Sequence, residues 1–228
     1  MVNVFSTPII FITIGAALLC AFTPYVRKIF VWFTTIMHEM GHAFFSLITG
    51  GGITGIKLHL NGSGVTHTTH TVGTAWFTRK IVLFAGYATP IYLGISIIYF
   101  SYKGYSQVMF YILVGVAALT LIFIRNLAGL LITLLYIGAL LAVSFIQQGA
   151  YEMVAVFFFG VILFVRGVWD LIMAGYMVFT MPAHGDESPG TDFHILNNES
   201  ALRIPAKAWY VAYILINIVG LSLIFLNM

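Results

Sequence analysis

Charge is what this sequence has least of. Asp, Glu, Lys and Arg together make up 7% of its 228 residues, whereas a water-soluble domain carries about 25%. An ordinary soluble globule is therefore excluded. Cysteine is nearly absent as well: Cys20 is the only one, so neither an intrachain disulfide framework nor a thiolate zinc cluster is available. Any metal has to be held by His and carboxylate. There is no basic stripe that could track phosphates. The 10 Lys and Arg are scattered singly or in pairs and the net charge is +3, which argues against a nucleic-acid partner. Finally, the chain lacks a polar stretch long enough to bury a core of its own. The longest are Gly50 to Thr78 and Pro182 to Pro205, so chemistry has to take place in the membrane or at its edge.

What fills the chain instead is apolar sequence, 61% of all residues, with 20 Phe, 12 Tyr and 4 Trp. A membrane-spanning helix needs about 20 mostly apolar residues, and such runs fall near residues 5–23, 29–49, 79–100, 106–124, 127–146 and 207–227. A further run, 150–181, is about 46 Å long as a helix, either one tilted crossing or two pieces broken near Arg166-Gly167. The reading is an all-α polytopic membrane protein, a single domain over 1–228, with seven spans, or eight if that run is broken. Met1 to Thr7 carries no Lys or Arg, so the first span is not a cleaved secretory signal. With seven spans, Lys57, Arg79, Lys80, Arg125, Arg203 and Lys207 share one side against Arg27, Lys28 and Lys103. The positive-inside rule then puts the N-terminus of this multi-pass cell-membrane protein in the cytoplasm.

Within the loop region 50–78, Ile53 to Leu60 and Val65 to Val72 read as two strands around Asn61-Gly62-Ser63-Gly64, a hairpin in which Leu60 pairs with Val65. In that register His59 and His70 share one face and His67 takes the other, so these histidines do not converge on a metal. Segment 182–206 reads as a polar loop, and His184, Asp186, Glu187, Asp192 and His194 as solvated groups among Gly and Pro. Gly86, Pro90 and Gly94 recur every four residues and give the third span a smooth face for close helix packing.

One motif carries chemistry. His38-Glu39-Met40-Gly41-His42 stands inside the second span. On a helix, residues i and i+4 share a face, so both imidazoles can reach one Zn²⁺ while Glu39 flanks the place where an attacking water would sit. His38 is about ten residues into its helix, roughly 15 Å deep in a hydrocarbon layer about 30 Å thick. A carboxylate and two imidazoles at that depth cost several kcal/mol unless paired or coordinated, which favours a metal site over a chance polar cluster.

A catalytic zinc site usually has three protein ligands and one open position. Apart from Glu39, the carboxylates within apolar runs are Glu152, near a helix start, and Asp170, well inside one. Elimination therefore favours Asp170 as the third metal ligand, the alternative being an ion pair with Arg166 at i−4. Asn126 and Asn217 are candidates for a second oxyanion donor. The same ligands would also suit a non-catalytic zinc-binding transporter or scaffold.

These residues resemble the site-2 protease family of intramembrane zinc metalloproteases, in its small bacterial branch without a PDZ domain. The likeness rests on His38 to Ala43 followed by Gly50-Gly51-Gly52, on Ala85-Gly86-Tyr87 with Pro90, and on Trp169-Asp170-Leu171, and it extends from Phe30 to Trp209. It implies zinc held by two His and a distant Asp, here His38, His42 and Asp170, with Glu39 as catalytic base. The family's Asp is usually followed by Gly, whereas Leu171 follows Asp170. The partners so implied are the lipid bilayer and a membrane-protein substrate, cleaved in or near a transmembrane segment.

Overall fold

The computed structural model describes residues 6–70, 75–145, 149–181, 191–199 and 204–226. Eight helices and one hairpin follow one another: α1 (Thr7–Phe22), α2 (Arg27–Ile48), β1 (Gly52–Leu58), β2 (Gly64–Thr69), α3 (Ala75–Tyr102), α4 (Ser106–Phe123), α5 (Leu127–Ser144), α6 (Gly149–Thr180), α7 (Asp192–Glu199) and α8 (Ala206–Leu226). Helices α5 and α8 carry apolar side chains nearly all round, as lipid requires. Leu131, Leu134 and Leu135 on α5 and Leu215, Ile216 and Val219 on α8 are all exposed, a surface that only hydrocarbon tolerates at this extent.

Among the described residues, five helices can cross a membrane by length and composition, spanning Phe77–Tyr102, Ser106–Phe123, Leu127–Ser144, Tyr151–Thr180 and Ala206–Leu223, and the pair α1 and α2, bent by 93° at their junction, makes at most one more if it is a single span. The expected count of seven took that pair as two crossings. At 16 residues, however, α1 is about 24 Å long, short of the hydrocarbon thickness, and α2 carries Arg27, Lys28 and the H-E-x-x-H residues. The orientation drawn from seven spans depends on how that pair sits. Nor does α6 break at Arg166-Gly167: it is one helix of 32 residues, so the eight-span alternative falls away.

Helices α3 and α6 cross closely because glycine removes the side chains between them. A Cβ on Gly94 would lie 2.6 Å from the Phe164 amide, and one on Gly160 would lie 2.8 Å from Ile97. Around this crossing sit two buried clusters. One joins α1, α2, α4, α5 and α6 through residues such as Ile36, Met37, Leu113, Leu140 and Ile162. The other joins α3, α6, α7 and α8 through Ile91, Leu171, Phe193, Leu196 and Tyr213.

The hairpin exists, but three residues out of the expected register. Lys57, not Leu60, pairs with Val65, and the strands are joined by residues 59–63. The turn chemistry decides this. Asn61 Oδ1 accepts hydrogen bonds from the Ser63 N–H at 3.0 Å and from its hydroxyl at 2.8 Å. Gly62, with φ 93°, takes the left-handed conformation that ends such a turn. Residues 71 and 72 of the expected second strand lie outside the described residues.

Strand β1 is the inner strand. The Ile56 carbonyl accepts from the Arg125 N–H at 2.9 Å, and Asn126 brackets Leu58, accepting from its N–H at 3.1 Å and donating to its carbonyl at 2.7 Å. Among the described residues, strand β2 is the edge of a two-stranded sheet. Antiparallel strands turn alternate backbone groups to either side. Since Ile56 and Leu58 face Arg125 and Asn126, their partners Thr66 and Gly64, and by the same alternation Thr68, turn N–H and C=O toward the open edge.

Candidate active site

The site is assembled on α2. Its sequence alternates small and polar residues with large apolar ones so that Thr35, Glu39 and Ser46, at i, i+4 and i+11, form a stripe against the hairpin. Thr35 Oγ1 donates to the Gly62 carbonyl at 2.7 Å, Thr66 Oγ1 donates to Glu39 Oε2 at 2.7 Å, and Ser46 Oγ donates to the Gly52 carbonyl at 3.0 Å. The hairpin is thus fastened along the motif helix at its tip, middle and base.

Both motif histidines turn toward α3. His42 donates Nδ1–H to the Val82 carbonyl at 2.7 Å, which leaves Nε2 with its lone pair, and this atom lies 3.0 Å from His38 Nε2. Such closeness is possible because the facing residue is Gly86. A Cβ there would stand 2.5 Å from His42 Nε2 and 2.6 Å from His38 Nε2. On the hairpin side Gly64 plays the same part, since its Cβ would meet Glu39 Oε1 at 2.7 Å. The face expected on Gly86 and Gly94 for packing is real, but Gly86 makes room for imidazoles rather than for another helix backbone.

The carboxylate that joins the pair is Asp192. Its Oδ2 lies 3.3 Å from His38 Nε2 and 3.5 Å from His42 Nε2. His38, His42 and Asp192 are the group able to hold a metal among the described residues, and the hairpin histidines belong to no such group. Asp170, expected as third ligand by elimination, lines the same cleft with its Oδ1 2.7 Å from Arg166 Nη2. The ion pair that stood as its alternative is therefore present, and Asp192 occupies the place beside the imidazoles. The reading of Asp192 as a solvated loop residue is corrected. His184, Asp186 and Glu187 lie outside the described residues.

Elimination missed Asp192 because it considered only apolar runs. The signal was nevertheless there: after Pro189-Gly190, the residues Thr191-Asp192-Phe193-His194-Ile195-Leu196 place Phe193 and Leu196 at i and i+3. In the structure these two are buried, at 1% and 2% exposure. The Thr191 carbonyl accepts the first helical bond from His194 N–H at 2.8 Å, and His194 Nδ1 accepts from Thr191 N–H at 3.2 Å. This reciprocal arrangement satisfies the helix start as a capping box does. Phe193 stacks on Tyr87 with centroids 5.5 Å apart, and Tyr87 in turn meets His38 edge-on at 4.7 Å. Burial alone would raise the Asp192 carboxyl, but the His42 and His38 imidazoles beside it hold it well below the ordinary carboxylate range.

The donor set fits zinc. Ligand atoms at about 2.0–2.1 Å from a tetrahedral Zn²⁺ are about 3.3 Å apart, and the three separations here are 3.0, 3.3 and 3.5 Å. Asp192 Oδ2 is buried and makes no hydrogen bond; its near neighbours are the two imidazole nitrogens, with which it could share a cation. The group opens into a cleft of about 750 Å³ that is also lined by Glu39, Thr66, Thr68, Tyr87 and Asp170. Asn126 and Asn217 do not line it. Asn126 holds Leu58, and Asn217 donates to the Tyr213 carbonyl at 2.8 Å, so neither serves as an oxyanion donor.

Two imidazoles one turn apart, a distant aspartate and an adjacent glutamate in a bundle of apolar helices agree with one family, and its model matches residues 11–224. The chain belongs to the Peptidase M50B-like family. This is the site-2 protease type of membrane metalloprotease, and the match contains every residue of the site, from His38 to Asp192. Membership of the M50B-like family implies a metal ion, and the geometry supplies a place for one. No curated protein and no solved structure matches the chain.

Proposed function

We propose that this protein is an intramembrane zinc metalloprotease that hydrolyses peptide bonds within or near transmembrane segments of membrane proteins. The observation that carries the reading is the meeting of His38 Nε2, His42 Nε2 and Asp192 Oδ2 within 3.5 Å of one another, beside a glutamate that is 4% exposed. His38, His42 and Asp192 would hold the zinc, with the Val82 carbonyl fixing the His42 ring. When bound, zinc supplies Lewis-acid polarisation of the scissile carbonyl and acidifies the attacking water. Glu39 takes the proton that water loses as its oxygen bonds to the carbonyl carbon, holds it on a carboxylate oxygen, and returns it to the amine nitrogen as the C–N bond breaks.

A transmembrane helix conceals its own peptide bonds, so the substrate must unwind before cleavage. The open edge of β2 suits the unwound segment, because the backbone groups of Gly64, Thr66 and Thr68 face outward along the cleft and can extend the sheet by one strand. The test is zinc stoichiometry on the purified protein together with cleavage by Glu39→Gln. Zinc retained with cleavage abolished is expected. Undiminished cleavage would return the protein to the class of zinc-binding transporters or scaffolds.

A further inference from the structure

We propose that Thr66 is a positioning residue for the base, so that the strand offered to the substrate also aims Glu39. This rests on the metalloprotease reading above and adds a residue that the H-E-x-x-H motif does not contain. Thr66 Oγ1 donates to Glu39 Oε2 at 2.7 Å and stands 3.1 Å from the Glu39 carbonyl oxygen. It is half-buried against α2, while the backbone groups of the same residue face the open edge of β2. Gly64, two residues earlier, lets the strand approach so closely that a Cβ would touch Glu39 Cγ at 2.7 Å.

The physical consequence is specific. The Glu39 carboxylate turns on three rotatable bonds and has several rotamers, which differ in where its oxygens point. A charge-assisted hydrogen bond to Oε2 selects among them and leaves Oε1, which lies beside Gly64 on the cleft wall, as the oxygen free to take the proton. Since Thr66 belongs to the edge strand, a substrate segment lying on that edge is held in register with the oxygen that will take its water's proton. The hydroxyl is the necessary part. Valine keeps the shape and loses the bond, whereas serine keeps the bond and loses only a methyl group.

The experiment uses the zinc-loaded full chain in detergent as wild type, Thr66→Val, Thr66→Ser and Glu39→Gln. The probe is a single-span peptide whose apolar segment is interrupted by Gly and flanked by a fluorophore and a quencher. Thr66→Val is expected to lower kcat about tenfold with KM within about twofold and zinc content unchanged, and Thr66→Ser to restore the rate. Isotope-edited infrared spectroscopy provides a readout that needs no turnover. The Glu39 carboxylate band, assigned by its loss in Glu39→Gln, should shift in Thr66→Val and return in Thr66→Ser. An unshifted band, a Thr66→Val rate equal to wild type while Glu39→Gln is inactive, or zinc loss in Thr66→Val would each overturn the assignment. Cleavage persisting in Glu39→Gln would instead overturn the reading beneath it, and the infrared result stands if the peptide is not cut.

Discussion

His42 gives its Nδ1 proton to the carbonyl of Val82, 2.7 Å away on α3, and this single hydrogen bond decides which nitrogen remains for a cation. The bond ties the motif helix to the helix that faces it. It also fixes the ring plane, so that Nε2 points at Asp192 rather than into the packing between the helices. His42 is thus oriented by a backbone group, which no side-chain substitution removes directly, and the site is best probed through its side chains and their supports.

The two aspartates should separate cleanly. Asp192→Asn removes a carboxylate from the group of three and is expected to weaken zinc binding by well over tenfold. Asp170→Asn should keep its zinc and lose thermal stability instead, because it takes the partner from Arg166, which is 5% exposed. Zinc stoichiometry and thermal unfolding on the two variants measure both effects. Equal zinc loss in the two would show that Asp170 is a ligand as well.

Gly86→Ala places a methyl group where the imidazoles already are, with His42 Nε2 at 2.5 Å. Alanine suits a helix better than glycine by about 1 kcal/mol, so helix content should be preserved while zinc affinity falls at least about tenfold. Circular dichroism and a competitive chelator titration read the two together. Wild-type affinity in this variant would mean that the histidines have room that the structure denies them.

Phe193→Ala tests whether α7 carries its aspartate to the site by packing. The ring is 1% exposed and stacked on Tyr87, and truncating a buried Phe costs about 3–5 kcal/mol. That exceeds what a helix of 8 residues gains on its own. The expected result is loss of zinc with α1 to α6 still folded, seen as new protease sensitivity confined to the segment after Thr180.

Thr68→Pro addresses the strand. Proline deletes a backbone N–H that faces the open edge, not the bonds to β1, so the hairpin should persist. Cleavage of a single-span peptide should drop severalfold at unchanged zinc content. An unaffected rate would exclude pairing of substrate along this part of β2.

How far the sequence reaches can be judged from particular residues. The imidazole pair was legible because α-helix geometry converts a spacing of four into a shared face whatever surrounds it. The hairpin was legible in kind from its Gly and Asn residues, but its register was not: Asn61 chooses its own hydrogen-bond partners, and moving the turn by three residues changed which side chains meet Glu39. The span count was not legible in the sequence, because apolar composition cannot reveal the 93° bend between α1 and α2. Asp192 escaped because its place depends on Phe193 and Leu196 finding a pocket among Tyr87, Tyr210 and Tyr213, and Tyr87 lies more than a hundred residues earlier in the chain.

By itself, then, the amino-acid order determined a lipid-facing helical protein and the local geometry of His38, Glu39 and His42, since composition and helical pitch act over a few turns and need no partners. Only the tertiary structure decided which carboxylate lies beside the two imidazoles, which hydroxyl meets Glu39 and which strand edge stays open among the described residues. Those depend on backbone approaches across helices, permitted by Gly64 and Gly86 and sealed by Phe193, and distance in space is not written along the chain.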